Sequence, residues 1–277
     1  MAIRRTLRAL SLILMLALAA VAPARAGDVR IVALVPSLAE DAFAIGAHVV
    51  AVSNFTDDIA GARGLPRVAD FQSVDVERIV ALHPDVVVGI PSQARFVAPL
   101  RRVGIRVVLV ADDGYDDIFR DIRMLGTLAH HERRAAELVR SLQAQTAALV
   151  ARAHAVHGHP SVFVALGTGP VWTAGAGSYV AHLIELAGGR DAASDLHAPW
   201  GAYSDEALLR AQPDAIVSGP GTRLADVVGT EPWRSLRAVR EGHVFTTPNA
   251  RIEDALFRPG PNYNEGLRWL IARLSSL

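Results

Sequence analysis

Apolar residues in this chain follow two alternating patterns. Short β-branched runs read as buried strands: Arg30–Val35, Val49–Ser53, Val86–Gly89 and Arg106–Val110 in the first half. Ser161–Leu166, Val171–Ala174, Ala215–Ser218 and His243–Thr246 are their counterparts in the second half. Between them lie helical spacings punctuated by caps and breakers. Ser37 with Glu40 reads as a capping box, and Gly46 stops the helix it opens. Asp75–His83 is a helix broken by Pro84-Asp85, Arg95–Val103 ends at Gly104, and Ser178–Ala187 ends at Gly188-Gly189. Ser204–Ala211 and a final segment near Asn262–Leu277 complete the helices. Such alternation implies a parallel sheet covered on both faces.

The middle of the chain breaks this rhythm. From Tyr115 to Val156 there is no strand signal, and two helices fit, Tyr115–Leu128 and His131–Val156. The second carries Ala135, Leu138, Val139, Leu142, Ala147 and Leu149 at helical spacing. The predicted architecture is α/β: two Rossmann-like lobes with largely parallel sheets, residues 27–128 and 160–277, joined by one long helix at 129–159. A ligand cleft is expected between them. An internal echo supports two lobes: Glu77-Arg-Ile-Val-Ala-Leu-His-Pro-Asp85-Val-Val-Val88 matches Glu206-Ala-Leu-Leu-Arg-Ala-Gln-Pro-Asp214-Ala-Ile-Val217.

The first 26 residues stand apart. Arg4, Arg5 and Arg8 precede an apolar stretch from Ala9 to Ala22, and Ala24-Arg25-Ala26 reads as a small-x-small cleavage site. A cleavable signal peptide and a periplasmic location are expected. The apolar run is shorter than the roughly 20 residues a spanning helix needs. Cleavage after Ala26 removes four arginines, leaving 251 residues with 24 basic and 28 acidic side chains. No basic stripe survives to hold nucleic acid.

Composition narrows the chemistry. There is no cysteine, which excludes disulfides, thiolate zinc sites, iron–sulfur clusters, cysteine nucleophiles and lipid attachment through an N-terminal cysteine. All 28 basic residues are arginine, which excludes Schiff-base lysines and a phosphate-loop lysine. No Gly-x-Ser-x-Gly elbow occurs, and Gly167-Thr-Gly169 and Gly175-Ala-Gly177 lack the third glycine of a dinucleotide fingerprint. The pairs Asp57-Asp58 and Asp112-Asp113 lie in predicted turns, where aspartate is common. No catalytic residue is assigned. His154, His157 and His159 cluster at the end of the linking helix, away from the predicted cleft, so no metal site is assigned either.

Export signal, lobe, long helix, lobe and the paired Glu…Pro-Asp segments resemble the class III periplasmic binding proteins of ABC importers, which carry vitamin B12, ferric siderophores and haem. The segment Arg30–Gly89, notably Val76-Glu77-Arg78-Ile79-Val80-Ala81-Leu82-His83-Pro84-Asp85, is most similar to the vitamin B12 branch. So are Trp172-Thr173-Ala174-Gly175 and Ala198-Pro199-Trp200. The resemblance implies a non-enzymatic monomer that delivers a metal chelate, cobalamin or another corrinoid, to an inner-membrane permease. A ferric siderophore or haem is the alternative, and a bare metal ion a more distant one. It implies no resident cofactor.

In a doubly wound sheet, loops at the carboxyl ends of strands face the ligand. Here they carry Ser37, Phe55, Phe71, Trp172 and Trp200, and flat aromatic faces suit a conjugated ring. The resemblance places Phe55, Phe71, Trp172 and Trp200 where the B12 branch has aromatic contacts. That branch has one more first-lobe aromatic after the strand ending at Gly89, where this chain has Ile90-Pro91-Ser92. Arg251 and Arg258, in the expected irregular loop Thr247–Asn262, are candidates for an anionic siderophore. Tyr203 is the candidate axial ligand for haem. By resemblance, Glu77 and Glu206 dock the permease, one from each lobe. Each is also the acid that a helix dipole favours in its first turn.

Overall fold

The computed structural model describes residues 28–70, 72–111, 113–153 and 158–277. The predicted signal peptide, Phe71, Asp112, His154 and His157 lie outside them. The amino-terminal lobe runs β1 (Arg30–Ala33), α1 (Pro36–Ala44), β2 (His48–Ser53), β3 (Arg67–Ala69), α2 (Val76–Ala81), β4 (Val86–Gly89), α3 (Ala94–Arg102) and β5 (Arg106–Leu109). Its sheet is parallel throughout in the order β3-β2-β1-β4-β5. The order reverses between β1 and β4, which makes their carboxyl ends the topological switch point.

Two long helices follow, α4 (Tyr115–Leu128) and α5 (Glu132–Ala153). The 22 residues of α5 span about 33 Å. Its buried stripe is Ala135, Val139, Leu142, Thr146, Leu149 and Ala153.

The carboxy-terminal lobe contains β6 (Ser161–Ala165), β7 (Gly167–Thr168), β8 (Val171–Ala174), α6 (Tyr179–Leu186), β9 (Arg190–Asp191), β10 (Trp200–Ala202), α7 (Asp205–Ala211), β11 (Ala215–Ser218), α8 (Arg237–Glu241), β12 (Val244–Thr246), α9 (Ala250–Phe257) and α10 (Tyr263–Leu274). A parallel sheet β12-β11-β6-β9 carries the lobe, and an antiparallel sheet β10-β8-β7 is set on it.

Alternation along the strands divides the interior into three cores. Ile31, Ala33, Val86 and Val88 from one sheet and Val162, Val164, Ala215 and Val217 from the other face a shared core with α1, α4, α5, α6 and α10. The opposite faces pack separately, Val32, Leu34 and Val87 against Ile79, Val97 and Leu100, and Phe163, Ala165 and Ile216 against Leu208 and Trp233. Within the shared core Thr146 on α5 bonds both Tyr263 and Asn264 of α10, and the Asn264 amide donates to the Leu142 carbonyl (3.0 Å). Because one apolar core runs through both lobes, a rigid-body swing of either would expose it to water.

The echoed segments fold into the same corner. Asp85 accepts the Arg30 N–H at the start of β1 (2.7 Å) and returns its own N–H to the Arg30 carbonyl. Asp214 does the same with Ser161 at the start of β6 (2.8 Å), and also accepts the Ser161 hydroxyl. Left-handed residues precede both Pro-Asp pairs, His83 (φ 46°) and Gln212 (φ 41°).

Two expectations are corrected. The Ser37–Glu40 capping box does not form. Val35 occupies the cap without a side-chain bond and Pro36 takes the first helical position, where a missing N–H costs nothing, so Ser37 falls inside the first turn. The loop Thr247–Asn262 contains α9, capped by the Asn249 side chain accepting the Ile252 N–H (3.0 Å) and held by buried Ala255 and Leu256. No helix among the described residues is long and apolar enough to cross a membrane.

Candidate functional site

A cavity of about 570 Å³ opens between the lobes. The amino-terminal wall is built at the switch point, from Val35-Pro36-Ser37 after β1 and Ile90 after β4, with Phe55 and Asp113 beside them. Buried Gln93 fixes this wall. Its amide donates to the Leu34 carbonyl (3.0 Å), and its side-chain oxygen accepts the Ile90 N–H (3.2 Å), tying together the ends of β1 and β4. Phe55 is 62% exposed and sits at φ 64°. A bulky residue rarely adopts that conformation, and such outliers gather at functional sites.

The carboxy-terminal wall comes from Leu166, Trp200, Gly221-Thr222 and the end of α9, Glu253 to Pro259. Trp200 packs on the shared core and donates its indole N–H to Asp113 across the cleft (3.1 Å). Trp172, 43% exposed, does not line the cavity. The register pairs Trp200 with Ala174 and Ala202 with Trp172, which sets the two tryptophans diagonally on one face of the small sheet.

Tyr203 is one residue out of phase with that face. Its ring packs on Phe163 (5.6 Å between centroids) and its hydroxyl donates to Asp195 (2.8 Å), on the side of β10 away from the cavity. Arg251 also lies outside the lining, clamped by two hydrogen bonds from its guanidinium to Glu265 (2.6 and 2.7 Å). Of the residues singled out from sequence, Ser37, Phe55, Trp200 and Arg258 are brought together at the cavity.

Arg258 does not present a free guanidinium. One terminal nitrogen donates to Glu40 (3.1 Å) and Asp58 (2.9 Å) of the other lobe, and the second to Asp254 (2.8 Å). Burial pushes the Glu40 and Asp254 carboxyls up, Asp254 to about 7. At Asp58 burial pushes the same way, but hydrogen bonds from Arg258 and Asp254 and the Arg258 charge outweigh it and hold this carboxyl below its ordinary value. Three carboxyls thus share one guanidinium, and Asp254 is the one whose ionised form is disfavoured most.

The residues missed from sequence are Gln93, Glu253, Asp254 and Phe257. Recognising α9 from its Asn249 cap would have placed the last three together at one helix end. Nothing in the local pattern marks Gln93, whose partner Leu34 lies 59 residues away at the end of β1.

A family model described as periplasmic binding protein matches residues 31–250. The chain belongs to that family. This periplasmic binding protein is 32% identical to the vitamin B12-binding protein of Pectobacterium atrosepticum over 69% of its own length and 71% of the relative's. The structure of the periplasmic vitamin B12-binding protein of Vibrio cholerae superposes with a TM-score of 0.76 at 25% identity, over 89% of this chain and 96% of that one. A periplasmic heme-binding protein from Roseiflexus sp. RS-1 superposes at 0.79 with 24% identity, over 90% of this chain and 99% of that one. These neighbours share its class III fold, two sheet-bearing lobes built largely on parallel strands.

In this periplasmic binding protein Glu77 and Glu206 occupy equivalent, exposed positions. Each is the second residue of a helix whose cap is satisfied by another side chain, Asp75 accepting the Arg78 N–H (3.0 Å) and Ser204 the Ala207 N–H (3.1 Å). Neither glutamate is needed to cap its helix.

Proposed function

We propose that this periplasmic binding protein carries cobalamin or another corrinoid to the permease of an ABC importer, acting as an exported monomer without catalysis of its own. The observation that carries this reading is the pairing of Trp200 and Phe55 across a mostly apolar cavity at the switch point of the amino-terminal sheet. Aromatic faces on opposite walls suit a large conjugated macrocycle, and the B12-binding names of relatives such as that from Pectobacterium support the corrinoid. Haem is the second reading, favoured by the Roseiflexus neighbour. Tyr203 does not serve it, because its hydroxyl is already donated away from the cavity. Glu77 and Glu206 meet permease arginines, one from each lobe, and set the orientation of docking.

Calorimetric titration of the mature protein with cyanocobalamin tests the corrinoid. One site per chain is expected, with Trp200→Ala weakening binding at least about tenfold while the melting curve holds. Binding of haemin or a ferric siderophore with no response to cyanocobalamin overturns it.

A further inference from the structure

The charges of the cleft are arranged unusually for a receptor of anionic chelates. Arg258 is the single cation among its described lining residues, and its guanidinium is engaged by Glu40, Asp58 and Asp254, with only 14% of the side chain exposed. Arg251, about two helical turns away, is held by Glu265 outside the cavity. Asp113 accepts the Trp200 indole. That leaves Glu253. Its carboxylate lines the cavity beside Gly219, where a Cβ would collide with it, and it has no hydrogen-bond or ion-pair partner among the described residues. Burial alone raises the Glu253 carboxyl above its ordinary value.

We infer, resting on the corrinoid reading above, that Glu253 is a specificity-determining residue: it accepts hydrogen bonds from amide N–H groups on the rim of a chelate without net negative charge, and turns away the same ring bearing carboxylates. A ligand carboxylate entering this cleft finds no unengaged guanidinium. It meets the Glu253 charge in a cavity also lined by Val35, Ile90, Leu166 and Phe257, where partial removal of water strengthens repulsion. A peripheral amide supplies the donors that this half-buried carboxylate otherwise takes only from water. The desolvation already imposed on Glu253 is offset once those donors arrive, so the group discriminates in both directions.

The test pairs ligands that differ in charge but not in ring. Calorimetry compares cyanocobalamin with its monocarboxylic acid, in which one side-chain amide is hydrolysed, and haemin with its neutral dimethyl ester. The wild-type protein should bind cyanocobalamin at least about tenfold more tightly than the monoacid. Glu253→Gln should bring that ratio toward one, mainly by tightening the monoacid, because the amide keeps the shape and loses the charge. Equal affinity of the wild type for the two corrinoids overturns the inference, as does a ratio that Glu253→Gln leaves unchanged. The wild-type ratio stands as a test even if the variant does not fold. Preference for the porphyrin ester over haemin without corrinoid binding keeps the charge selection and removes the corrinoid reading. Preference for haemin over its ester overturns the charge selection. A protein that takes none of the four overturns both.

Discussion

The amino-terminal lobe lines the cleft chiefly with the strand-end residues Val35-Pro36-Ser37 and Ile90, with Phe55, whereas the carboxy-terminal lobe supplies Trp200, Phe257 and a run of charged side chains. The first wall is a product of topology. Five parallel strands with a reversal between β1 and β4 open a crevice at their carboxyl ends whatever the ligand. The second wall is added to its sheet: the β10-β8-β7 sheet delivers Trp200, and α9 delivers Glu253, Asp254 and Arg258. Away from the cleft the lobes agree closely, down to the same Asp corner and the same exposed glutamate at the second position of a helix. The shared features are thus those proposed to meet the transporter, and the differing ones those proposed to meet the ligand.

Breaking the shared features should have the largest effect. Glu77→Arg combined with Glu206→Arg is expected to abolish uptake through the cognate permease while ligand affinity in solution stays near wild type. Each single change should give an intermediate loss, because charge complementarity mainly sets encounter and orientation. Transport assays beside calorimetry separate the two quantities. Normal uptake by the double variant would reduce both glutamates to first-turn acids favoured by the helix dipole.

Legibility in the sequence follows the same division. The amino-terminal strands β1, β2, β4 and β5 and the helices between them were readable because each is a continuous apolar run or an amphipathic spacing with its own breaker. The corner echo was readable because it is local. Short pairings were not: β3, β9 and β10 hold two or three residues each, too few for any period to register, and are defined by their neighbours. Tyr203 illustrates the cost. Without knowing that Trp200–Ala202 is a strand, nothing assigns Tyr203 to the face opposite Trp200. Glu40 and Arg258 both stand out in the sequence, as a cap partner and as a ligand contact. Their ion pair joins residues 218 apart, a separation that only the folded chain closes.

Arg251 within α9 and Arg258 just past its end sharpen the contrast between a structural charge and a surface one. Arg258→Ala removes the cation shared by three carboxylates and should destabilise the fold by about 2–3 kcal/mol, somewhat less than the roughly 3–5 kcal/mol of breaking a fully buried pair, because the guanidinium keeps some contact with solvent. Arg251→Ala disrupts an exposed pair with Glu265 and should leave the melting temperature nearly unchanged. Thermal unfolding of both variants measures the difference. Equal effects would mean that the clasp contributes no more than a surface ion pair.

The smallest expected effect concerns the corners, which look alike but are not equally loaded. Asp85 accepts the backbone N–H of Arg30, while the Arg30 guanidinium goes instead to the Leu82 and His83 carbonyls. Asp214 accepts the Ser161 N–H and hydroxyl and pairs with Arg237 at 2.7 Å and Arg190 at 3.9 Å. Burial works to raise the Asp214 carboxyl, but the Ser161 bonds and the two arginines outweigh it and hold it below its ordinary value. A carboxylate whose folded value is depressed stabilises the fold above its unfolded value near 3.8, and that contribution is lost as pH falls through and below it. Asp214→Ala should therefore cost about 1–2 kcal/mol at pH 7, because it removes charge-assisted bonds and leaves the Ser161 groups to find new partners. Asp85→Ala should cost less, with one such bond to lose. The gap between the two variants should begin to narrow between pH 4.5 and about 3, as the unfolded chain's Asp214 takes up its proton near 3.8 while the folded carboxyl, held lower, still resists. Urea unfolding of both variants across that range reads the gap directly. A difference that persists unchanged at pH 3 would place the extra stability of the second corner in packing rather than in charge.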